Sequence, residues 1–201
     1  MEYLKLSKKD VEKISRDLAQ KVKKQYDIDA VIFIARGAYQ IGVAVADELG
    51  CPLIEIKAQR VGGGFKSFIK KFLKILPKFV KIKLRRFEIN SGFHGKKTDR
   101  KISINEKQWK KYKDSKNILI VDDSIDTGNS MLLVKKYTEQ YFSDSNVYIA
   151  CLNVLDKGLE VIKPDFYLYT NTMLSGPWSN DSKYHAEFLK EYEEFERKYN
   201  E

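Results

Sequence analysis

The chain has 201 residues, 43% of them hydrophobic, which is enough for one ordinary domain with a single core and, with twelve tyrosines and eleven phenylalanines, excludes wholesale disorder. The formal net charge of +9 suits an anionic ligand, a nucleic acid or a membrane surface, but a charge excess also simply solubilises, and it says little about fold. Only Cys51 and Cys151 are present, both beside apolar runs and neither in a Cys-x-x-Cys or Cys/His spacing, so they read as buried free thiols of a reducing compartment and not as a zinc site or disulfide scaffold.

The amino-terminal Met1-Glu2-Tyr3-Leu4-Lys5 lacks the basic-then-apolar order of a secretory leader, and no apolar run approaches the roughly 20 residues of a spanning helix. A soluble, cytoplasmic protein is expected. Ser7, with Asp10 three residues on, resembles a capping box, and Val11, Ile14, Leu18 and Val22 recur at helical spacing behind it. Ala30 to Ala35 is almost wholly apolar, the pattern of a strand buried on both faces. It ends at Arg36-Gly37-Ala38, and a second helix runs through Val43, Val45, Ala46 and Leu49 to a stop at Gly50. Leu53 to Ile56 supplies another strand. Helix, strand, helix, strand predicts an α/β protein with a parallel sheet, whose ligands bind outside the carboxyl ends of the strands. Arg36-Gly37 lies at such an end, where the glycine lets backbone approach a ligand and the arginine can donate to an anion. From that dipeptide alone, an ordinary strand-to-helix turn with a surface arginine is the favoured reading.

From Lys57 to Phe87 there is no Asp or Glu, while Phe65, Phe68, Ile69, Phe72, Leu73 and Ile75 interleave with lysines at helical intervals. Two readings stand: a basic amphipathic helix that makes peripheral contact with an anionic membrane or a partner, or an inserted helix whose apolar stripe packs on its own domain or a second subunit. Gly62-Gly63-Gly64 reads as a hinge, since it lacks dinucleotide-motif spacing. Asn90 to Lys116 is polar, with Ile102, Ile104 and Trp109 as its few apolar anchors, and reads as a loop over a site; His94 within it is a lone, solvated histidine. No base-reading element accompanies the basic stretch, so no nucleic-acid partner is expected.

Further on, Ile118 to Val121 is an apolar run that stops at two acids, in the sequence Asn117-Ile-Leu-Ile-Val-Asp-Asp-Ser-Ile-Asp-Thr-Gly-Asn-Ser-Met131. Leu132, Leu133, Tyr137 and Phe142 mark the helix that follows. Val147 to Val154 and Phe166 to Tyr169 are the next strands, Gly176-Pro177-Trp178 is a turn, and Tyr184, Phe188, Leu189, Tyr192 and Phe195 form the apolar face of a terminal helix. Thr127, Gly128, Asn129 and Ser130 offer successive amides at a helix start, which suits a phosphate monoester. Carboxylates would repel that phosphate, so Asp122 and Asp123 suit a sugar diol or a hydrated magnesium ion. Asp126 is placed to act as proton acceptor or electrostatic stabiliser near a reacting sugar carbon.

Val121 to Ser130 resembles the phosphoribosyl pyrophosphate signature of type I phosphoribosyltransferases, and the Ile-Asp-Thr-Gly form is most similar to the 6-oxopurine members, which act on hypoxanthine, guanine or xanthine. Ala35-Arg36-Gly37 with Ala46-Asp47-Glu48-Leu49-Gly50 is similar to their pyrophosphate loop and the helix after it. Lys163-Pro164-Asp165-Phe166 resembles the stretch whose lysine holds the purine 6-oxo group. The resemblance implies a Rossmann-like fold, a parallel central sheet with helices on both faces, in a single domain spanning 1–201, with a small hood over roughly 163–181 and a long basic insertion over roughly 58–116. It implies Mg2+-dependent transfer of ribose 5-phosphate from phosphoribosyl pyrophosphate to a purine base in a homo-oligomer. Asp126 would be the catalytic base, Asp122 and Asp123 would take the ribose hydroxyls and the metal shell, Thr127, Gly128, Asn129 and Ser130 the 5-phosphate, Arg36 and Gly37 the pyrophosphate, and Lys163 the base.

The chain departs from that pattern at Ser124, where the family has Ile or Val, and at Ala38, where a second loop glycine is common. In the hood, Met173 or Leu174 falls at the base-stacking position and Ser179 replaces an acid; Trp178 would stack instead and Asp181 would take the acid's place beside the metal. Transfer to a non-purine acceptor, in polysaccharide or secondary metabolism, and a non-catalytic nucleotide-binding regulator on the same fold therefore stand as alternatives.

Overall fold

The computed structural model describes residues 2–60 and 100–200. The chain divides into two compact units, one made of 1–58 with 102–201 and the other of 59–101. The elements in order are β1 (Glu2–Lys5), α1 (Lys8–Lys23), β2 (Ala30–Ala35), α2 (Tyr39–Leu49), β3 (Leu53–Arg60), β4 (Arg100–Ile104), α3 (Glu106–Lys111), β5 (Asn117–Ile125), α4 (Asn129–Tyr141), β6 (Asn146–Val154), α5 (Asp156–Leu159), β7 (Phe166–Thr170), β8 (Thr172–Ser175) and α6 (His185–Asn200). The six-stranded sheet has the order β4-β3-β2-β5-β6-β7, and β2 pairs in parallel with both β3 and β5, as do β5 with β6 and β6 with β7. The strand order reverses at β2 and β5, which puts the crevice of such a sheet at their carboxyl ends.

Local sequence accounts for most of this. The α1 capping box closes in both directions: the Ser7 N–H donates to Asp10 Oδ2 at 2.8 Å and the Asp10 N–H donates to Ser7 Oγ at 3.3 Å. Gly50 ends α2 in the left-handed region at φ 71°. Along β2, Ala30, Ile32 and Ile34 face a cluster with Met131 and Val134 of α4, while Val31 faces Val11, Leu18, Ile41 and Val45 of α1 and α2. Burial of each such side chain contributes about 1.5–3 kcal/mol, so a strand apolar on both faces holds helices on both faces.

Two stretches depart from the sequence reading. The polar region 90–116 is not loop throughout, because β4 and α3 lie inside it. Trp109 is fully buried and its Nε1 donates to the Glu55 carbonyl at 3.0 Å, while the Glu55 N–H donates to Tyr199 Oη at 3.0 Å. Side chains from α3 and α6 thus satisfy the main chain of β3 at this point, and Trp109, with Ile102, Ile104 and Tyr112 packed on the same cluster, anchors an otherwise polar segment. The second departure is β1, a short strand that pairs in parallel with β8, Tyr3 beside Met173, as a separate two-stranded sheet. Of the span expected to form a hood, β8 thus pairs with the amino terminus, while β7 belongs to the main sheet. The triglycine, the basic amphipathic stretch and His94 lie outside the described residues. Both cysteines are free thiols, Cys151 buried and Cys51 partly so. No helix among the described residues is long and apolar enough to cross a membrane.

Candidate active site

The β5 strand runs past its apolar half and carries Asp122 and Asp123 in extended conformation, so successive carboxylates leave opposite faces of the strand. Asp122 is buried, at 9% exposure, and its Oδ1 accepts the Asp123 N–H at 2.9 Å. Burial, with the charge of Asp123 second, holds Asp122 well above the usual carboxylate range, and burial raises Asp123 as well. Among the described residues no lysine or arginine forms an ion pair with either acid. A pair of hard oxygen donors whose ionisation is opposed in this way fits a hydrated divalent cation, with water and ligand oxygens filling the shell.

The upstream loop meets this pair. The strands β2 and β5 are neighbours, with Phe33 opposite Val121, and the Ala35–Arg36 peptide just beyond is cis. A Cβ placed on Gly37 would stand 3.1 Å from Asp123 Oδ1, so only a residue without a side chain lets that backbone lie against the carboxylate undisturbed.

Beyond β5, Gly128 takes φ 71° and is the N-cap of α4, with no side-chain cap and no acid in the first helical turn. A Cβ here would meet Val161 Cβ at 2.7 Å and the Gly158 carbonyl at 3.0 Å, so both space and backbone angle require glycine. The first-turn amides of this 13-residue helix have no intrahelical partner and point, with the positive end of the helix dipole, toward the loop of Asp126 and Thr127. Asp126, Thr127 and Asn129 are exposed there and Ser130 is half-buried, which leaves a turn open to an anion.

Asp126 is not isolated. Its Oδ1 accepts from Ser124 Oγ at 2.8 Å, Ser124 Oγ accepts from Asn153 Nδ2 at 3.0 Å, and Asn153 Oδ1 accepts the Thr172 N–H at 3.1 Å. Asn153 was not anticipated from the sequence. It lies inside an apolar strand run, and only its register opposite Ser124 gives it meaning.

The remaining expected residues fall elsewhere. Lys163 is exposed in the segment that leads into β7, between buried Ile162 and buried Pro164, and no hydrogen bond or ion pair ties it to the acids. A second lysine, Lys157, is also exposed and stands in α5, directly past the carboxyl end of β6, where the Leu155 N–H donates to the Ile125 carbonyl at 3.0 Å. A Cβ on Gly158 would fall 2.4 Å from that same carbonyl, so α5 is pressed onto the end of β5. The ring of Trp178 folds over Gly176, where a Cβ would lie 2.4 Å from Cη2, and like Leu4 and Leu174 it packs on the buried cluster that holds Leu6, Val11 and Phe166. Asp181 is not brought to Asp122 and Asp123. It lines an open cleft of about 430 Å³ with Lys5, Ser7 and Asp10 at the start of α1, because the chain turns there after the hood. Among the described residues no group of three or more His, Cys, Asp and Glu side chains is arranged to hold a metal ion.

Comparison with known proteins gives the family and the fold. The family model of the phosphoribosyl transferase domain matches residues 2–178. Solved structures with the same fold include the Helicobacter pylori xanthine-guanine-hypoxanthine phosphoribosyltransferase, 18% identical, with 94% of this chain and 99% of that one covered and a TM-score of 0.60. The purine phosphoribosyltransferase of Pyrococcus horikoshii Ot3 is 21% identical, over 90% of this chain and 97% of that one, with a TM-score of 0.59. A hypothetical protein from Neisseria gonorrhoeae with bound ppGpp is 17% identical, over 94% of each chain, with a TM-score of 0.62. At these identities the likeness is one of fold. No curated protein matches the sequence significantly. With the family model spanning most of its length, and the paired acids and the glycine turn at the carboxyl end of β5, the chain belongs to the phosphoribosyl transferase domain family, as a type I phosphoribosyltransferase.

Proposed function

We propose that the protein transfers ribose 5-phosphate from phosphoribosyl pyrophosphate to a purine base of the 6-oxopurine class, with Mg2+, and releases pyrophosphate. The observation that carries this reading is the convergence of Asp123 on Gly37 beside the open first turn of α4. In that arrangement Asp122 and Asp123 accept from the ribose hydroxyls and hold the hydration shell of the magnesium ion, which when bound neutralises pyrophosphate charge. The amides from Thr127 to Ser130, with their hydroxyls, hold the 5-phosphate. Arg36 and the Gly37 amide hold the pyrophosphate as it leaves. Asp126 faces the developing positive charge of the sugar and takes the proton from the attacking base. Lys163 or, from its place beyond β6, Lys157 donates to the 6-oxo group. The names of the Pyrococcus and Helicobacter structures, purine and xanthine-guanine-hypoxanthine enzymes, lend support to the purine class.

The hood supports a second reading. Met173 is 55% exposed at the position where a base would stack, and Trp178 is engaged in packing. An acceptor that needs no aromatic platform, and so no purine, fits that surface. Incubation with the donor, Mg2+ and a panel of hypoxanthine, guanine, xanthine, adenine and orotate, with pyrophosphate release as readout, separates the two. Turnover with a 6-oxopurine supports the first reading; tight donor binding without turnover of any purine sinks it.

A further inference from the structure

We infer that Asn153 is a positioning residue, which sets the carboxylate of Asp126 through Ser124 and fixes it relative to the root of the hood at Thr172. The inference rests on the proposed role of Asp126 in the transfer. Asn153 is 1% exposed and Thr172 is 5% exposed, so their polar atoms have no water to fall back on. Each partner in the chain has a fixed task. Asn153 stands in register with Ser124 on β5 and with Tyr169 on β7, and from there its side chain spans from one neighbouring strand to the first residue of β8.

The hydrogen-bond directions leave little freedom. Thr172 offers only an N–H to Asn153 Oδ1, so the amide group of Asn153 must present Nδ2 to the other side. Ser124 Oγ accepts from Nδ2, and its own proton is thereby directed to Asp126 Oδ1. Asp126 is otherwise exposed on the loop between β5 and α4, where its side chain would sample several rotamers. One fixed acceptor contact selects among them. A serine in place of an apolar residue after the two acids therefore has a purpose: it is the link between a buried amide and an exposed carboxylate. Asn171 ties the same root independently, since its N–H donates to the Val154 carbonyl at 3.0 Å and its side chain bonds Asp156. The start of β8 is thus anchored to the carboxyl end of β6, and Asn153 passes that anchor on to the loop.

Ser124→Val and Ser124→Thr differ by one hydroxyl at nearly equal volume, and β-branched residues suit a strand. Ser124→Thr should keep kcat within about twofold of the parent, whereas Ser124→Val should lower kcat by about tenfold with the donor KM unchanged, as loss of one hydrogen bond to a charged group implies. Asn153→Ala should lower kcat to a similar extent, and the Ser124→Val/Asn153→Ala double variant should be no slower than the worse single one. Equal kcat for the valine and threonine variants, or a loss that lies wholly in donor KM, overturns the inference. A second measurement does not depend on the acceptor. In carbon-13-labelled protein the Asp126 Cγ resonance should move in Ser124→Val and in Asn153→Ala and stay in Ser124→Thr. If no acceptor in the panel is turned over, the proposed function fails, while this resonance still decides whether Asn153 sets Asp126; an unmoved signal in both variants overturns the inference.

Discussion

Asp126, Lys157 and Lys163 allow the proposed site to be tested one side chain at a time. Asp126→Asn keeps the shape of the residue and its capacity to accept from Ser124 Oγ, but removes the charge and the basic oxygen. If Asp126 acts on the transition state and not on donor binding, kcat should fall by about 100-fold or more while donor affinity by calorimetry changes less than about threefold. An unchanged rate would remove Asp126 from the catalytic role. Lys157→Ala and Lys163→Ala divide the acceptor question in the same way. Lys157 is two residues beyond the α5–β5 contact, and Lys163 lies in the exposed lead into β7. If Lys157 holds the acceptor, the acceptor KM should rise about tenfold or more in Lys157→Ala, by the worth of a charge-assisted hydrogen bond, and stay near the parent value in Lys163→Ala. The reverse result restores Lys163 as the base-holding residue. The stretch proposed to bind the donor was legible because its parts are contiguous: a strand, two acids and a glycine turn fall within Val121 to Ser130. The contacts among β6, α5 and β8 were not, because they bring residues together from distant sequence positions, and Asn153 is an amide hidden in an apolar run.

The element with most leverage on the upstream loop is α6, which lies beyond the residues the family model matches. Its aromatic stripe, Phe188, Tyr192 and Phe195, packs on Tyr39 at the start of α2, and Tyr192 joins Phe33 and Ala38 in one buried cluster. Ala38 and Tyr39 directly follow Gly37, so the helix braces the Arg36–Gly37 turn from behind. Tyr192 also donates to Glu55, which is 5% exposed and faces Lys57 at 3.4 Å, with Glu196 and Tyr199 nearby. Burial raises Glu55 above its ordinary value; the Tyr192 hydroxyl, then Lys57, pull it back. A raised folded-state value means that the contribution of Glu55 to stability is full below its unfolded pKa and is lost as pH rises through the folded one. Tyr192→Phe removes the donor and raises that value further. The variant should lose about 1–3 kcal/mol in urea unfolding near neutral pH and clearly less at about pH 4, where the carboxyl is protonated in both. A deficit equal at both pH values would show that Tyr192 acts through packing alone. Among the elements, strands such as β2 and helices such as α1 were readable because apolar period and caps agree. β1 and β4 were not, being short strands of mixed polarity whose existence depends on a partner strand far along the chain.

At the scale of the whole molecule, the site is assembled on the reversal of strand order between β2 and β5, and its two most buried acids resist ionisation in the folded state. The fold therefore carries a cost at its functional end that a bound cation and donor would relieve. Asp122 and Asp123 have raised folded-state values, from burial first, so their contribution to stability is present below the unfolded carboxylate pKa and is lost as pH rises through the folded values. Above that window the cation-free protein holds charge it does not neutralise, and ligand binding gains most. Donor with Mg2+, at about a hundred times its dissociation constant, should stabilise the protein by about 2.7 kcal/mol, or roughly 5–10 °C in melting temperature for a domain of this size. The shift should be larger near pH 8 than near pH 5.5 and should mostly vanish with excess EDTA. Asp122→Asn should raise the melting temperature of the free protein at pH 8, since it removes a buried charge, and should shrink the shift given by donor with Mg2+. If chelation leaves the full donor shift in place, the first-turn amides of α4 and Arg36 hold the donor without a cation, and the paired acids serve the ribose hydroxyls alone.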